Sequence, residues 1–124
     1  MTRRPATYRQ FWPYYLAEHS RPATRHLHIA GTSLAVVLLA AAVIAWSWPL
    51  ALAAAVSGYG LAWISHVAVE HNRPATLRYP LWSLASDFRL CALWYGGRLA
   101  ATYRRYGLDP AGPAGPDKPD GPRP

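Results

Sequence analysis

The sequence predicts an all-α fold: a small helical membrane protein, with a central antiparallel transmembrane hairpin and flanking amphipathic helices. Three observations carry this expectation. Between Ile29 and Val69 there is no Asp, Glu, Lys or Arg. A turn signal, Ser47-Trp48-Pro49, splits that stretch into halves of about twenty residues, each long enough to cross a hydrocarbon core of ~30 Å. The segments before and after the hairpin each gather their apolar side chains on one helical face.

In the first helix, Tyr8, Phe11, Trp12, Tyr15, Leu16 and His19 share a face at i, i+3, i+4, i+7, i+8 and i+11 spacing. Pro13 is expected in its first turn, where proline costs little, so the regular helix should begin near Trp12. Its aromatic face suits a membrane interface, a packing surface, or both. The hairpin helices are expected over 22–46 and 50–70. Ser20 and Asn72 precede the tetrapeptide RPAT or its start, and Pro cannot continue an old helix but favours the first turn of a new one. A further helix starts at Pro80, with an apolar stripe of Leu81, Leu84, Ala85, Phe88, Cys91, Ala92 and Tyr95. Asp87, Arg89 and Arg98 make a simple membrane crossing costly there. This helix should lie against the hairpin or along the interface, bent or broken at Gly96-Gly97. Residues 1–106 are read as a single helical membrane domain. Residues 107–124 hold six of the 12 prolines and few apolar side chains, and are expected to be disordered.

The net charge is +7, and 12 of the 13 basic residues are Arg. Arg3, Arg4, Arg9, Arg21, Arg25, Arg73 and Arg78 lie outside the open ends of the hairpin, and its tip has none. The positive-inside rule then puts both ends in the cytoplasm, with Trp46 and Trp48 at the opposite interface. The expected location is integral to a membrane, the inner membrane of a bacterium by the Arg-rich composition. No apolar run follows MTRRPATYRQ, so no cleaved signal peptide is expected. The charge is read as orientation and contact with anionic lipid. No basic recognition helix or RNA-binding aromatic motif points to nucleic acid. Cys91 is the single cysteine, which excludes an intrachain disulfide and a Cys-based metal site. No Ser or Cys nucleophile motif and no phosphate-cradling Gly loop is present. Nothing in the sequence specifies an oligomer.

The chemistry-bearing feature is a repeat. EHSRPAT at 18–24 returns as EHNRPAT at 70–76, and a third RPAT stands at 4–7. Helical geometry separates the five histidines. Gly58, Ala62, His66 and Glu70 form one stripe spaced by four, two small residues leading to an imidazole and a carboxylate. His71 lies about 140° round the helix from His66, and His26 about 160° round from His28. His28 shares its face with Gly31, Thr32 and Ala35. At ~1.5 Å per residue, His28 and His66 sit within about 3 Å of the same depth in an antiparallel hairpin. His19, across the break at Pro22, can fold back to that level. The candidate set is His19, His28, His66 and Glu70. Two or three His plus one carboxylate suits Fe(II), with Zn or Mn as alternatives. The residues alone leave other readings open: a non-enzymatic membrane scaffold or lipid-binding module whose histidines satisfy one another, or a zinc-dependent membrane enzyme.

The stretches FWPYYLAEHSRPATRHLHIAGT (11–32), AWISHVAVEHNRPAT (62–76) and PLWSLASDFRL (80–90) resemble a small membrane-protein family, formerly a domain of unknown function. Its fungal member is the endoplasmic-reticulum 2-hydroxy fatty acid dioxygenase of phytosphingosine breakdown. The resemblance covers roughly residues 8–106. Its most specific elements are His19, then His28 followed by Gly31, and His66 with Glu70 and Pro74. It implies Fe(II)-dependent α-oxidation: a 2-hydroxy fatty acid and O2 give the acid one carbon shorter and CO2, without 2-oxoglutarate. It also implies His19, His28 and His66 as iron ligands, and Glu70 as a fourth ligand or the partner that fixes an imidazole tautomer. Arg73 or Arg21 would hold the substrate carboxylate or, the plainer expectation for each, anchor on lipid phosphate, and the acyl chain would lie along the two hairpin helices. Asp87 and Asn72 would stand behind the ligands, Asp87 orienting a histidine or, the plainer expectation, pairing with Arg89 or Arg78. The chain is shorter and richer in Arg than the fungal form, so the chemistry carries over more readily than the identity of the substrate.

Overall fold

The structure, a computed structural model, describes residues 4–73 and 78–112. Among the described residues there are five α-helices and no strand, as the sequence predicts. The first, α1 (Tyr8–Glu18), opens on Thr7, whose Oγ1 accepts from the Gln10 N–H. The helix therefore begins a turn earlier than expected, because the Thr7 cap overrides the proline signal. Pro13 lies inside it. Phe11, Trp12, Tyr15, Leu16 and His19 are all buried, so the aromatic face packs inward.

The hairpin is α2 (Pro22–Ala45) and α3 (Trp48–Ile64). Between them the chain reverses at Trp46, whose backbone is left-handed at φ 52°, and the Ser47 N–H reaches back 2.9 Å to Ala42 O. The Ser47 hydroxyl then caps α3 by accepting from the Leu50 N–H. Small residues bring the two helices together. A Cβ on Gly31 would lie 3.0 Å from Leu61 Cβ and 3.1 Å from Ser57 O, and one on Gly58 would lie 3.3 Å from Ala35 Cβ. The regular helix expected to Glu70 stops at Ile64. Ser65–Glu70 is a wider π turn, closed by His71 at φ 58° and by a 3.0 Å bond from the Asn72 N–H to His66 O. Such turns are rare and concentrate at functional sites.

Two further helices follow, α4 (Pro80–Tyr95) and α5 (Leu99–Arg105), separated at the glycine pair, with Gly97 at φ +70°. The inner face of α4 is Ser83, Ser86, Leu90 and Cys91. Most of its expected apolar stripe points outward instead: Leu81 is 78% exposed, and Leu84, Phe88 and Tyr95 are exposed too. The reason lies in Asp87, which α4 turns toward His28. The hairpin shows the same inversion, with Val37, Val43, Ile44, Leu52 and Val56 exposed. Pro22–Ala45 and Trp48–Glu70 are each long and apolar enough to cross a membrane, yet only 22% of each apolar window is buried. The core helix of a soluble protein would be mostly covered.

A compact apolar cluster of Phe11, Trp12, Tyr15, Leu16, Ile29, Leu90, Leu99 and Tyr103 ties α1, α4 and α5 to the open end of the hairpin. Leu108 packs against that cluster, and Pro110 O accepts from Arg25 at the start of α2. Residues 107–112, the first part of the expected tail, thus lie against the helices. Residues 113–124, where the rest of the expected tail falls, lie outside the described residues.

Candidate metal centre

Three buried histidines meet at the open end of the hairpin. His19 stands just past α1 with non-helical backbone (φ −114°, ψ 51°), His28 lies within α2, and His66 lies in the π turn. His19 Nε2 is 3.0 Å from His28 Nε2 and 3.0 Å from His66 Nε2. The three ligand atoms all lie within 4.8 Å of one another, close enough to hold one metal ion.

The outer nitrogens settle the tautomers. His19 Nδ1 is 2.7 Å from Tyr15 O, a carbonyl that can only accept, so this nitrogen carries the proton. His66 Nδ1 is 2.7 Å from Asn72 Oδ1. Asn72 is oriented by its other end, where Nδ2 donates to Glu18 O at 3.2 Å and Glu18 Oε2 at 2.5 Å. His28 Nδ1 is 3.2 Å from Asp87 Oδ1, which also accepts from the Tyr15 hydroxyl at 2.5 Å. Each Nδ1 thus donates outward, and an imidazole that carries only this proton turns its Nε2 lone pair inward. Lone pairs this close repel one another, and a cation between them turns the repulsion into ligation. Burial, and then the neighbouring His28 and His66, hold the His19 imidazole well below the ordinary histidine range, which keeps it in the neutral form a metal needs. An all-imidazole donor set of this kind fits Fe(II) and Zn(II) alike.

Tyr15 serves this cluster three ways. Its carbonyl holds His19, its hydroxyl holds Asp87, and its ring stacks on His19 at 4.0 Å between centroids. Burial, and then Asp87, push its phenol well above the normal range, so it remains a donor.

The two copies of the repeat clasp each other. Glu70, from the second copy, accepts from the Ser20 hydroxyl at 3.0 Å on both oxygens and from the Arg21 N–H at 2.8 Å, in the first. Asn72 grips Glu18. Glu70 accordingly stands outside the histidine set, unlike the stripe expected from regular spacing. The wider π turn rotates it relative to His66, and its carboxylate goes to the open N–H groups and positive dipole end of α2. Arg21 Nε lies 4.0 Å from Glu70, and both Arg21 and Arg73 are exposed. The expected pairing of Asp87 with an arginine is not what the structure has, because Arg89 lies 4.1 Å over the Trp12 ring and Asp87 turns to His28. His26 and His71 are exposed and take no part in the cluster. Pro74 and the end of the second RPAT lie outside the described residues.

Sequence reasoning missed Arg25 and Tyr103, which both bond to His19 O. Arg25 had a signal, since it lies three residues before His28, on the same face of a helix that is otherwise apolar. Tyr103 had none. A groove of about 230 Å³ begins beside Asp87 and runs between α2, α3 and α4 over Thr32, Ala35, Leu39, Ala54 and Gly58. From Thr32 to Leu39 it follows α2 for about 10 Å.

A protein-family model described as 2-hydroxy-palmitic acid dioxygenase Mpo1-like matches residues 5–99. No curated protein and no solved structure gives a significant match. The matched residues take in most of the chain, including the three histidines and both copies of the repeat, and the chain belongs to the Mpo1-like family.

Proposed function

We propose that this member of the Mpo1-like family is a membrane-bound, Fe(II)-dependent dioxygenase of 2-hydroxy fatty acids. A 2-hydroxy acid and O2 give the acid one carbon shorter, CO2 and water, which balances without an external reductant. The observation that carries the reading is the set of three inward Nε2 lone pairs, each fixed by a hydrogen bond on Nδ1. His19, His28 and His66 would hold the metal. Iron bound there supplies O2 activation and a seat for the carboxylate and hydroxyl of a 2-hydroxy acid.

The protein's own groups do the rest. Tyr15 O, Asp87 and Asn72 keep the imidazoles in the right tautomer. Asp87 touches His28 and also lines the groove, so it stands between the centre and the alkyl chain. The groove takes that chain along the hairpin, and its Ala and Gly residues keep it open. Arg21 and Arg73, exposed at the two junctions that carry His19 and His66, would supply positive charge for the carboxylate. Glu70 holds the junction from which His19 projects. The exposed apolar belt, the tryptophans at the tip and the arginines at the open end support a hairpin that crosses the inner membrane with both ends cytoplasmic. The substrate then reaches the groove from the bilayer.

The test is metal content after anaerobic purification in detergent, wild type against His66→Ala. Near-stoichiometric iron in the wild type, lost in the variant, together with O2 uptake and CO2 release on 2-hydroxy acids, is the expected result. Zinc in place of iron would move the reading to hydrolytic chemistry. Folded protein that takes up no metal after reconstitution with Fe(II) would refute it and leave a membrane scaffold.

A further inference from the structure

We infer that the segment 99–112 completes the histidine centre, with Tyr103 and Arg25 as positioning residues that fix His19 through its main-chain carbonyl; this rests on the metal reading of that centre. The three histidines are not held equally. His28 and His66 sit within helical turns. His19 has left α1, and its N–H keeps only a 3.2 Å bond to Leu16 O. A metal ligand must be held to within about 0.5 Å, and a residue beyond a helix end has backbone freedom to lose.

That freedom is removed from a distance. The Tyr103 hydroxyl donates to His19 O at 2.7 Å and to Leu16 O at 3.0 Å, from 84 residues further along the chain than His19. Arg25 Nη1 donates to His19 O at 3.0 Å and Ser20 O at 2.9 Å, and its Nη2 donates to Pro110 O. The guanidinium lies 4.2 Å over the Tyr103 ring. Both side chains are buried. A guanidinium buried with carbonyls and an aromatic face is a costly packing residue. What this one gains is a tie between the 19–20 junction and the 107–112 segment. That segment lies tight on the junction: Gly112, at φ +98°, would bring a Cβ within 3.3 Å of Pro22 Cδ and 3.4 Å of Ser20 O. Tyr103 also lies outside the residues that match the family.

The experiment is Co2+ titration of the full-length protein in detergent, followed by ligand-field absorption, with helix content measured alongside. Tyr103→Phe removes only the hydroxyl. Arg25→Lys keeps the charge and loses the fork. Tyr8→Phe removes another long-range tyrosine bond, 3.1 Å to Ser86, between α1 and α4, that involves no histidine. Tyr103→Phe should raise the Co2+ dissociation constant about ten-fold or more and alter the absorption bands at unchanged helix content. Arg25→Lys should fall between it and wild type, and Tyr8→Phe should match wild type. A Tyr103→Phe protein with wild-type affinity and spectrum, or one indistinguishable from Tyr8→Phe, overturns the inference while the metal reading stands. Should Tyr103→Phe not fold, Arg25→Lys decides by the same criteria. Wild-type protein that binds no Co2+ refutes the metal reading and the inference with it.

Discussion

An imidazole offers one lone pair inward only while its other nitrogen gives its proton away. Here the three acceptors differ in kind: a carbonyl of Tyr15, an amide of Asn72 and a carboxylate of Asp87. Asp87 is the most heavily used of the three, because it serves two donors, His28 Nδ1 and the Tyr15 hydroxyl. Asp87→Ala strands both, and metal affinity should fall by about 10- to 100-fold, read by competition with a chelator. Asp87→Asn keeps one acceptor oxygen and should lose less. Equal affinity in all three proteins would remove Asp87 from the centre. The histidines themselves were legible in the sequence, because helix arithmetic assigns depth and face. Asn72 was expected behind the ligands, but spacing alone gave only its place at the junction and not the histidine it holds. Its side chain returns to His66 through a π turn and a left-handed His71, neither of which lies in regular spacing.

At the scale of elements, the hairpin depends on close approach where Gly31 meets α3. Gly31→Leu must displace Leu61 or the Ser57 backbone, and should cost about 1–3 kcal/mol in thermal unfolding in detergent. Gly60→Leu is the control, since nothing lies within 4 Å of a Cβ there, and it should cost nothing in packing. If both variants melt alike, the small-residue contact is not what holds the hairpin. The groove follows from the same small residues. Ala55 lines it, and Ala55→Phe should raise KM for a long-chain 2-hydroxy acid about ten-fold while leaving metal content and a short-chain substrate unaffected. An equal effect on both chain lengths would place the alkyl chain elsewhere. The proline starts of α2 and α4 and the small-residue contact were readable from the sequence, whereas the start of α1 and the end of α3 were not. Nor was the rotation of α4: an apolar stripe gives the same signal whether it faces a core or lipid. The contacts of Asp87 with His28, of Ser86 with Tyr8 and of Leu90 with the apolar cluster fix which way it turns.

At the scale of the molecule, polarity runs inside out around one end. Ionisable groups collect where the repeats clasp, and apolar side chains cover the outside of the hairpin. That arrangement would expose a large apolar patch to water, yet it suits a bilayer. The long charge-free run made the two candidate spans legible in the sequence, whereas the packing of 107–112 onto the helices was hidden by its proline-rich composition. Orientation is the remaining global property, and charge predicts it. Anchoring arginines stand at the open end, while Trp46 and Trp48 at the tip are 92% and 76% exposed. Two single-cysteine proteins, each with the buried Cys91 changed to Ser, test this in bacterial cells with a membrane-impermeant maleimide. Ser47→Cys should be labelled in spheroplasts before any permeabilisation. Arg104→Cys, on the side proposed to be cytoplasmic, should be labelled only afterwards. The opposite pattern would put the histidine centre on the outer face of the membrane and would sink the cytoplasmic assignment. Labelling of both positions in intact spheroplasts would mean that the hairpin does not span the bilayer, and the groove would then have to be filled from water.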